Sequence, residues 1–243
     1  MLYHSKYSSE KKSHKWITFI HGAGGSSSIW FNQVRFFKKY FNVLLIDLRG
    51  HGKSAPSTEG TIYTFDDLVF DIIEVLDNNK IKKSHFVGIS LGSILIQKML
   101  FNHENRVEKI ILGGAILNLN LQSKFLMLIG KLTQSILPFI WIYTFFAYVV
   151  MPYRKHRKSR SLFIREAKKI SQKEFIRWYK LTNKIFPLLE KIRNYNVSTK
   201  ILYIMGNEDY MFLPFVKKMI KKHPNSSLIT FSKTGHVVNI DQP

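Results

Sequence analysis

Phe86-Val87-Gly88-Ile89-Ser90-Leu91-Gly92 joins an apolar, strand-like run to the helical pattern Ile94-Leu95-Ile96-Gln97-Lys98-Met99-Leu100. A strand that passes at once into a helix needs a sharp turn, and Gly88 and Gly92 leave room where a side chain would collide with the elements beside it. Ser90, at the apex, is expected in a strained backbone position with Oγ exposed at the carboxyl edge of a sheet. The first free N–H groups of the helix point at the same spot, so a nucleophile and part of an anion site arrive together. Alone, Gly-x-Ser-x-Gly also fits an ordinary glycine turn in a chain with 13 glycines, and its surroundings decide between the two.

Outward from this elbow, strands alternate with helices. Leu2 to Tyr7 reads as a short edge strand, and Trp16-Ile17-Thr18-Phe19-Ile20 as one buried on both faces. The latter empties into His21-Gly22-Ala23-Gly24-Gly25, and Ser28 is placed to cap a helix through Trp30, Val34 and Phe37. Phe41 to Ile46 is the next strand, followed by the glycine-rich turn Asp47 to Ser54; Thr64 and Asp67 then form a capping box ahead of Phe65, Leu68, Val69, Ile72 and Leu76. Val107 to Leu112, Ile201 to Met205 and Leu228 to Phe231 are further strands, with a helix through Phe215 to Ile220. The pattern predicts an α/β fold with a mostly parallel central sheet flanked by helices, whose sites form at the carboxyl ends of strands.

Between Ile116 and about Arg193 the alternation stops and the pattern is helical, with Ser171 and Glu174 as a second capping box. Residues 118–193 therefore read as a helical cap inserted into a core formed by 1–117 and 194–243. The run Leu132 to Tyr153 holds 22 residues without a charge, long enough to span a bilayer. A single span there would put Ser90 and the last strands on opposite sides of a membrane and tear one sheet in two. A cap helix is the expectation, with in-plane contact with an anionic membrane as an added property.

The 243 residues suffice for one large domain with an insertion, and 45% are hydrophobic. The absence of cysteine excludes disulfides, thiolate catalysis and cysteine-ligated metals. Met1 to Lys15 is polar and lysine-rich, without the apolar core of a secretory signal, so a cytoplasmic location is expected, peripheral to the membrane if the cap docks on it. The net charge of +21 draws the protein toward anionic surfaces, and residues 118–193 contribute +13 of it, from 16 Lys and Arg against Glu166, Glu174 and Glu190. No phosphate loop and no nucleic-acid module is recognisable.

A serine hydroxyl is a poor nucleophile until a base takes its proton, and the base needs a third group to hold its tautomer. Of nine histidines, His236 in Lys233-Thr234-Gly235-His236 follows the last strand and reaches the same sheet edge as Ser90. His85 lies in the strand itself and His103 past the far end of the next helix. Asp209, in Gly206-Asn207-Glu208-Asp209, ends the preceding strand and is the expected orienting acid, with Glu208 its close rival. The backbone N–H of Leu91, directly after the nucleophile, and that of Ala23 are the expected donors to an oxyanion.

These residues together resemble the α/β-hydrolase superfamily: the His-Gly loop with Trp30 after it, the Asp47 to Ser54 segment, the elbow, Asp209 and the Gly235-His236 pair fall in the family's order from about Trp16 to the end. The resemblance implies an eight-stranded sheet, hydrolysis through an acyl-enzyme and a cap where the insertion lies. It departs in two places. The stretch before His21 is short for the usual opening hairpin, and Pro243 falls where relatives continue into a helix covering the sheet, so a truncated chain or an exposed face is expected. Serine at the elbow disfavours the aspartyl-ester chemistry of dehalogenases and epoxide hydrolases. Asp47 and His51 look metal-like, but in the family's pattern their turn is structural.

The resulting expectation is a capped serine hydrolase of a carboxylic ester, using Ser90, His236 and Asp209 with Ala23 and Leu91, and needing neither cofactor nor metal. Phe139, Trp141, Tyr143, Phe145, Phe146 and Tyr148 suggest an apolar, lipid-like ester, or merely pack the cap onto the sheet. Alternatives are an acyltransferase or lyase on the same fold, and a non-catalytic protein that holds an apolar ligand or docks on anionic membrane through Arg154-Lys155-His156-Arg157-Lys158.

Overall fold

A computed structural model describes residues 1–56, 58 and 62–243. Seven strands form one sheet: β1 (His4–Tyr7), β2 (Trp16–Ile20), β3 (Asn42–Ile46), β4 (Ser84–Ile89), β5 (Val107–Gly113), β6 (Ile201–Gly206) and β7 (Ser226–Phe231). Their spatial order is β1-β3-β2-β4-β5-β6-β7, with β1 antiparallel to β3 and every other neighbour parallel. The eight strands implied by the resemblance are corrected to seven among the described residues. A single strand, β1, precedes Trp16, and it pairs directly with β3 where a hairpin would have placed two.

The central strands are apolar on both faces because helices cover both. On one face Leu44, Ile46, Phe86, Ile110 and Leu112 pack against α2 (Phe65–Asn78), α3 (Leu91–His103), α8 (Ile185–Asn194) and α9 (Leu213–Met219). On the other, Phe19, Val43, Leu45, Val87 and Ile89 meet Trp30, Val34 of α1 (Phe31–Phe37) and Val238 and Ile240 of α10 (Val238–Asp241). The starts of α2 and α1, one on each face, have local causes. Thr64 Oγ1 accepts from Asp67 N at 3.1 Å while Asp67 returns a bond to Thr64 N, so the capping box forms. Before α1, Ser26 and not Ser28 is the cap: its extended backbone starts a 3-10 turn over Ser27–Trp30, and its Oγ accepts from Ser28 N. The 3-10 turn moves the start two residues upstream of the periodicity.

Five helices lie between β5 and β6: α4 (Leu121–Thr133), α5 (Phe139–Val150), α6 (Arg157–Ala167), α7 (Gln172–Leu181) and α8. The uncharged run is broken ahead of Pro138, which stands at the N-terminus of the 12-residue α5. No helix among the described residues is long and apolar enough to cross a membrane. Phe139, Ile142, Tyr143, Ala167, Ile170 and Phe175 give this segment a small core of its own. The second capping box forms only in half. Ser171 Oγ accepts from Glu174 N, but the Glu174 carboxylate accepts from Tyr63 and, at 3.1 Å, from Arg177.

Candidate active site

The turn from β4 into α3 is as sharp as its sequence requires. Ser90 has φ 54° and ψ −117°, left-handed for a residue with a Cβ, and its N–H donates to Gly113 O at 3.1 Å. Ser93 closes the turn, its N–H and Oγ both donating to Ser90 O, at 2.9 and 2.6 Å. A Cβ on Gly92 would sit 2.9 Å from His21 O and closer still to Ile20 O, so only glycine lets α3 approach β2 here. The strain thus presents Ser90 Oγ at the carboxyl edge of the sheet.

His236 arrives from the loop after β7, and Asp209 from the loop after β6. The two loops are laced together: Asn207 N donates to Phe231 O and Glu208 N to Thr234 O, both at 2.9 Å. His236 Nδ1 lies 2.8 Å from Asp209 Oδ2 and His236 Nε2 3.1 Å from Ser90 Oγ, with both ring and carboxylate buried. An ionised carboxylate only accepts, so the Nδ1 proton is fixed on its side and Nε2 faces the serine hydroxyl as an acceptor. Phe212 N donates to Asp209 Oδ1, and the Phe212 ring packs on His236 with centroids 5.0 Å apart. The structure thus brings together Ser90, Asp209 and His236. It turns Glu208 elsewhere, to accept from Lys155 and, at 2.9 Å, from the fully buried His156. His85, beside Phe41 in β4, and His103, ending α3, stand away from the edge.

The peptides on either side of Ala23 are oriented by two histidines that sequence reasoning had not placed in the site. Gly22 O accepts from His21 Nδ1 at 2.7 Å and from Gly25 N at 3.0 Å. His21 Nε2 accepts from Leu48 N at 3.0 Å, which fixes the tautomer. In a trans peptide the N–H lies opposite the carbonyl, so Ala23 N–H is turned away from these partners. One residue on, Gly24 N donates to His51 Nε2 at 2.9 Å, and His51 Nδ1 donates to Arg49 O at 2.8 Å. Burial pushes the His21 pKa down, against the pull of the Gly22 carbonyl, Asp47 and Glu166, and pushes His51 down to about 3 with the help of its neighbour His21. Asp47 accepts from Ser27 N and Lys53 N, at 2.6 and 2.8 Å, so the Asp47–His51 turn serves the backbone. Tyr143 of α5 donates to Ala23 O. The Arg49-Gly50-His51-Gly52 turn carried the signal for His51; Tyr143 stood among the six aromatics expected to line an apolar pocket, but nothing in the sequence pointed to its bond with Ala23.

Ala23, Ser90 and Leu91 share the wall of a cavity of about 230 Å3, closed from the other side by Phe146, Phe175 and Trp178. Its lining is almost wholly apolar, and Leu91 is the first residue of α3, where backbone N–H groups lack helical partners. A larger hollow, about 790 Å3, opens at the other end of the sheet between Lys15, His85, Lys109 and Lys200. It holds none of these groups. The smaller one is bordered by the Ser90 hydroxyl and by the N-terminal end of α3, with its unpaired backbone N–H groups.

Comparison with known proteins adds kinship to geometry. A family model described as "Alpha/beta hydrolase family" matches residues 19–243. The chain is 32% identical over 98 residues to 3-oxoadipate enol-lactonase 2 of Acinetobacter baylyi, covering 40% of this chain and 36% of that one. It is 33% identical over 101 residues to Protein ABHD8 of Homo sapiens, covering 40% of this chain and 23% of that one. The matched stretch thus spans about a third or less of the length of these relatives. Among solved structures, MenH from S. aureus superposes with a TM-score of 0.81 at 19% identity, covering 100% of this chain and 94% of that one. The enol-lactonase from Burkholderia xenovorans LB400 gives 0.80 at 18%, covering 99% and 91%.

Proposed function

Given that the chain belongs to the alpha/beta hydrolase family, we propose that it is a serine hydrolase cleaving a carboxylic ester with an apolar acyl or aryl part. The observation that carries this reading is the line Ser90–His236–Asp209, with contacts of 3.1 and 2.8 Å. Ser90 Oγ attacks the ester carbonyl while His236 Nε2 takes its proton, and Asp209 holds the Nδ1–H and stabilises the imidazolium that forms. The N–H groups of Ala23 and Leu91 receive the oxyanion. His236 then protonates the departing alkoxide, leaving an acyl group on Ser90, and a water activated by the same ring releases the acid. Residues 118–193 act as the cap, supplying Phe146, Phe175 and Trp178 to the substrate cavity and excluding bulk water.

Reaction with a fluorophosphonate probe, followed by mass spectrometry, tests the nucleophile, and a series of p-nitrophenyl esters of rising chain length tests the cavity. Ser90 is expected to carry the label, and Ser90→Ala to lose about 10^4-fold or more in kcat. Full activity in Ser90→Ala would overturn the mechanism.

A further inference from the structure

The outer side of the helical segment is built unlike the rest of the surface. On α4, Leu121, Phe125, Leu128 and Leu132 recur at the spacing of one helical face, and all are exposed, Leu121 at 84% and Leu132 at 66%. On α5, Trp141, Phe145 and Tyr148 repeat the pattern, and Ile136, 81% exposed, lies in the connection between the two helices. A row of seven large apolar side chains on two successive helices exceeds the scattered exposure normal for a soluble surface. The opposite faces are already used: Leu126, Ile142 and Ala147 are buried, and Met127, Tyr143 and Phe146 line the cavity over Ser90.

Charge selects what covers this face. Between Glu108 and Glu166 the chain has no acidic residue and nine Lys and Arg. Lys124 and Lys131 stand on α4 itself, and Arg154, Arg157 and Lys158 follow α5, all exposed. Another copy of a chain with net charge +21 would bring cation against cation. An apolar stripe that includes Trp and Tyr and has exposed Lys and Arg beside it complements a bilayer surface bearing anionic headgroups. We propose that the outer faces of α4 and α5 dock in the plane of an anionic membrane. Docking brings the helices that roof the cavity to the interface where lipid esters lie; this consequence for substrate rests on the reading of the site as an ester hydrolase, and the docking itself does not.

Co-sedimentation of the full chain with phosphatidylcholine vesicles, with and without phosphatidylserine, tests it. Binding is expected to be stronger with phosphatidylserine and to weaken as salt is raised. Leu128→Glu combined with Leu132→Glu replaces exposed side chains outside the cavity and is expected to lower binding at least about tenfold. Lys124→Ser with Lys131→Ser is expected to weaken binding at low salt and to flatten its salt dependence. Fluorophosphonate labelling of each variant, in detergent-free buffer, reads the catalytic assignment separately and is expected to match the parent, which also shows that the variants fold. Three results would overturn the proposal: no sedimentation with either vesicle; binding unchanged in the Leu128/Leu132 variant; or concentration-dependent dimerisation that this variant abolishes while vesicles bind neither protein.

Discussion

Asp209 and Glu208 are adjacent carboxylates, and the sequence offered little to choose between them. The loop after β6 turns one toward His236 and the other toward His156 and Lys155. On the proposed mechanism Asp209→Asn, which leaves the wrong tautomer on His236, lowers kcat by about 10^4-fold. Glu208→Gln is expected to stay within about tenfold, because His236 keeps its carboxylate; steady-state kinetics on one ester separates them. The two buried histidines beside Ala23 make a second prediction. Burial lowers both pKa values, so the unfolded chain takes up protons near pH 6.5, whereas folded His51 resists them until about 3. The stability they contribute is fully present above pH 6.5 and falls on acidification, by up to ~1.4 kcal/mol per pH unit for each ring. Urea unfolding at pH 7 and pH 5 reads this, and His51→Gln is expected to flatten the slope. Ser90 and His236 were legible because each follows a strand at a turn with a known use. The bond from Tyr143 to Ala23 was not, since it joins residues 120 apart in the chain.

At the scale of elements, legibility followed periodicity. α2 has one apolar face, a box at its start and polar residues opposite, so its limits and burial could be read directly. Thr64→Ala removes the box and is expected to cost about 1 kcal/mol of stability, measured by the shift in urea midpoint at constant slope. α5 is the opposite case. Phe139 to Val150 is almost wholly apolar, so the 3.6-residue period carries no direction and the faces do not follow from composition; only Pro138 signals the break ahead of it. The structure resolves the ambiguity by splitting the stretch: Phe139, Ile142 and Tyr143 turn inward, while Trp141, Phe145 and Tyr148 remain outside. An uncharged run long enough for a membrane span becomes the second helix of a surface pair.

For the whole molecule, alternation of apolar strands with amphipathic helices was enough to give a mostly parallel sheet, because a strand buried on both faces demands a helix on each side. Strand count was less secure, since one edge strand pairing with β3 is a tertiary choice that β1 alone does not encode. The charge balance has a consequence of its own. Lys and Arg outnumber Asp and Glu by 37 to 16, while the ion pairs on the surface, such as Lys38 with Glu10 and Lys83 with Glu108, are exposed ones. Exposed pairs contribute about 0–1 kcal/mol each and weaken with salt. Repulsion among the excess cations acts in the other direction, and the Debye length shrinks from about 30 Å at 0.01 M to about 8 Å at 0.15 M. Screening therefore removes more repulsion than attraction in a chain of this balance. The thermal midpoint is expected to rise between 0.01 and 0.15 M sodium chloride, by about 2–4 °C for each kcal/mol of repulsion removed. Chloride is the salt to use, because sulfate stabilises by exclusion whatever the charge. A midpoint that falls with chloride would mean that the paired carboxylates outweigh the surplus, and that the cations lie too far apart to repel.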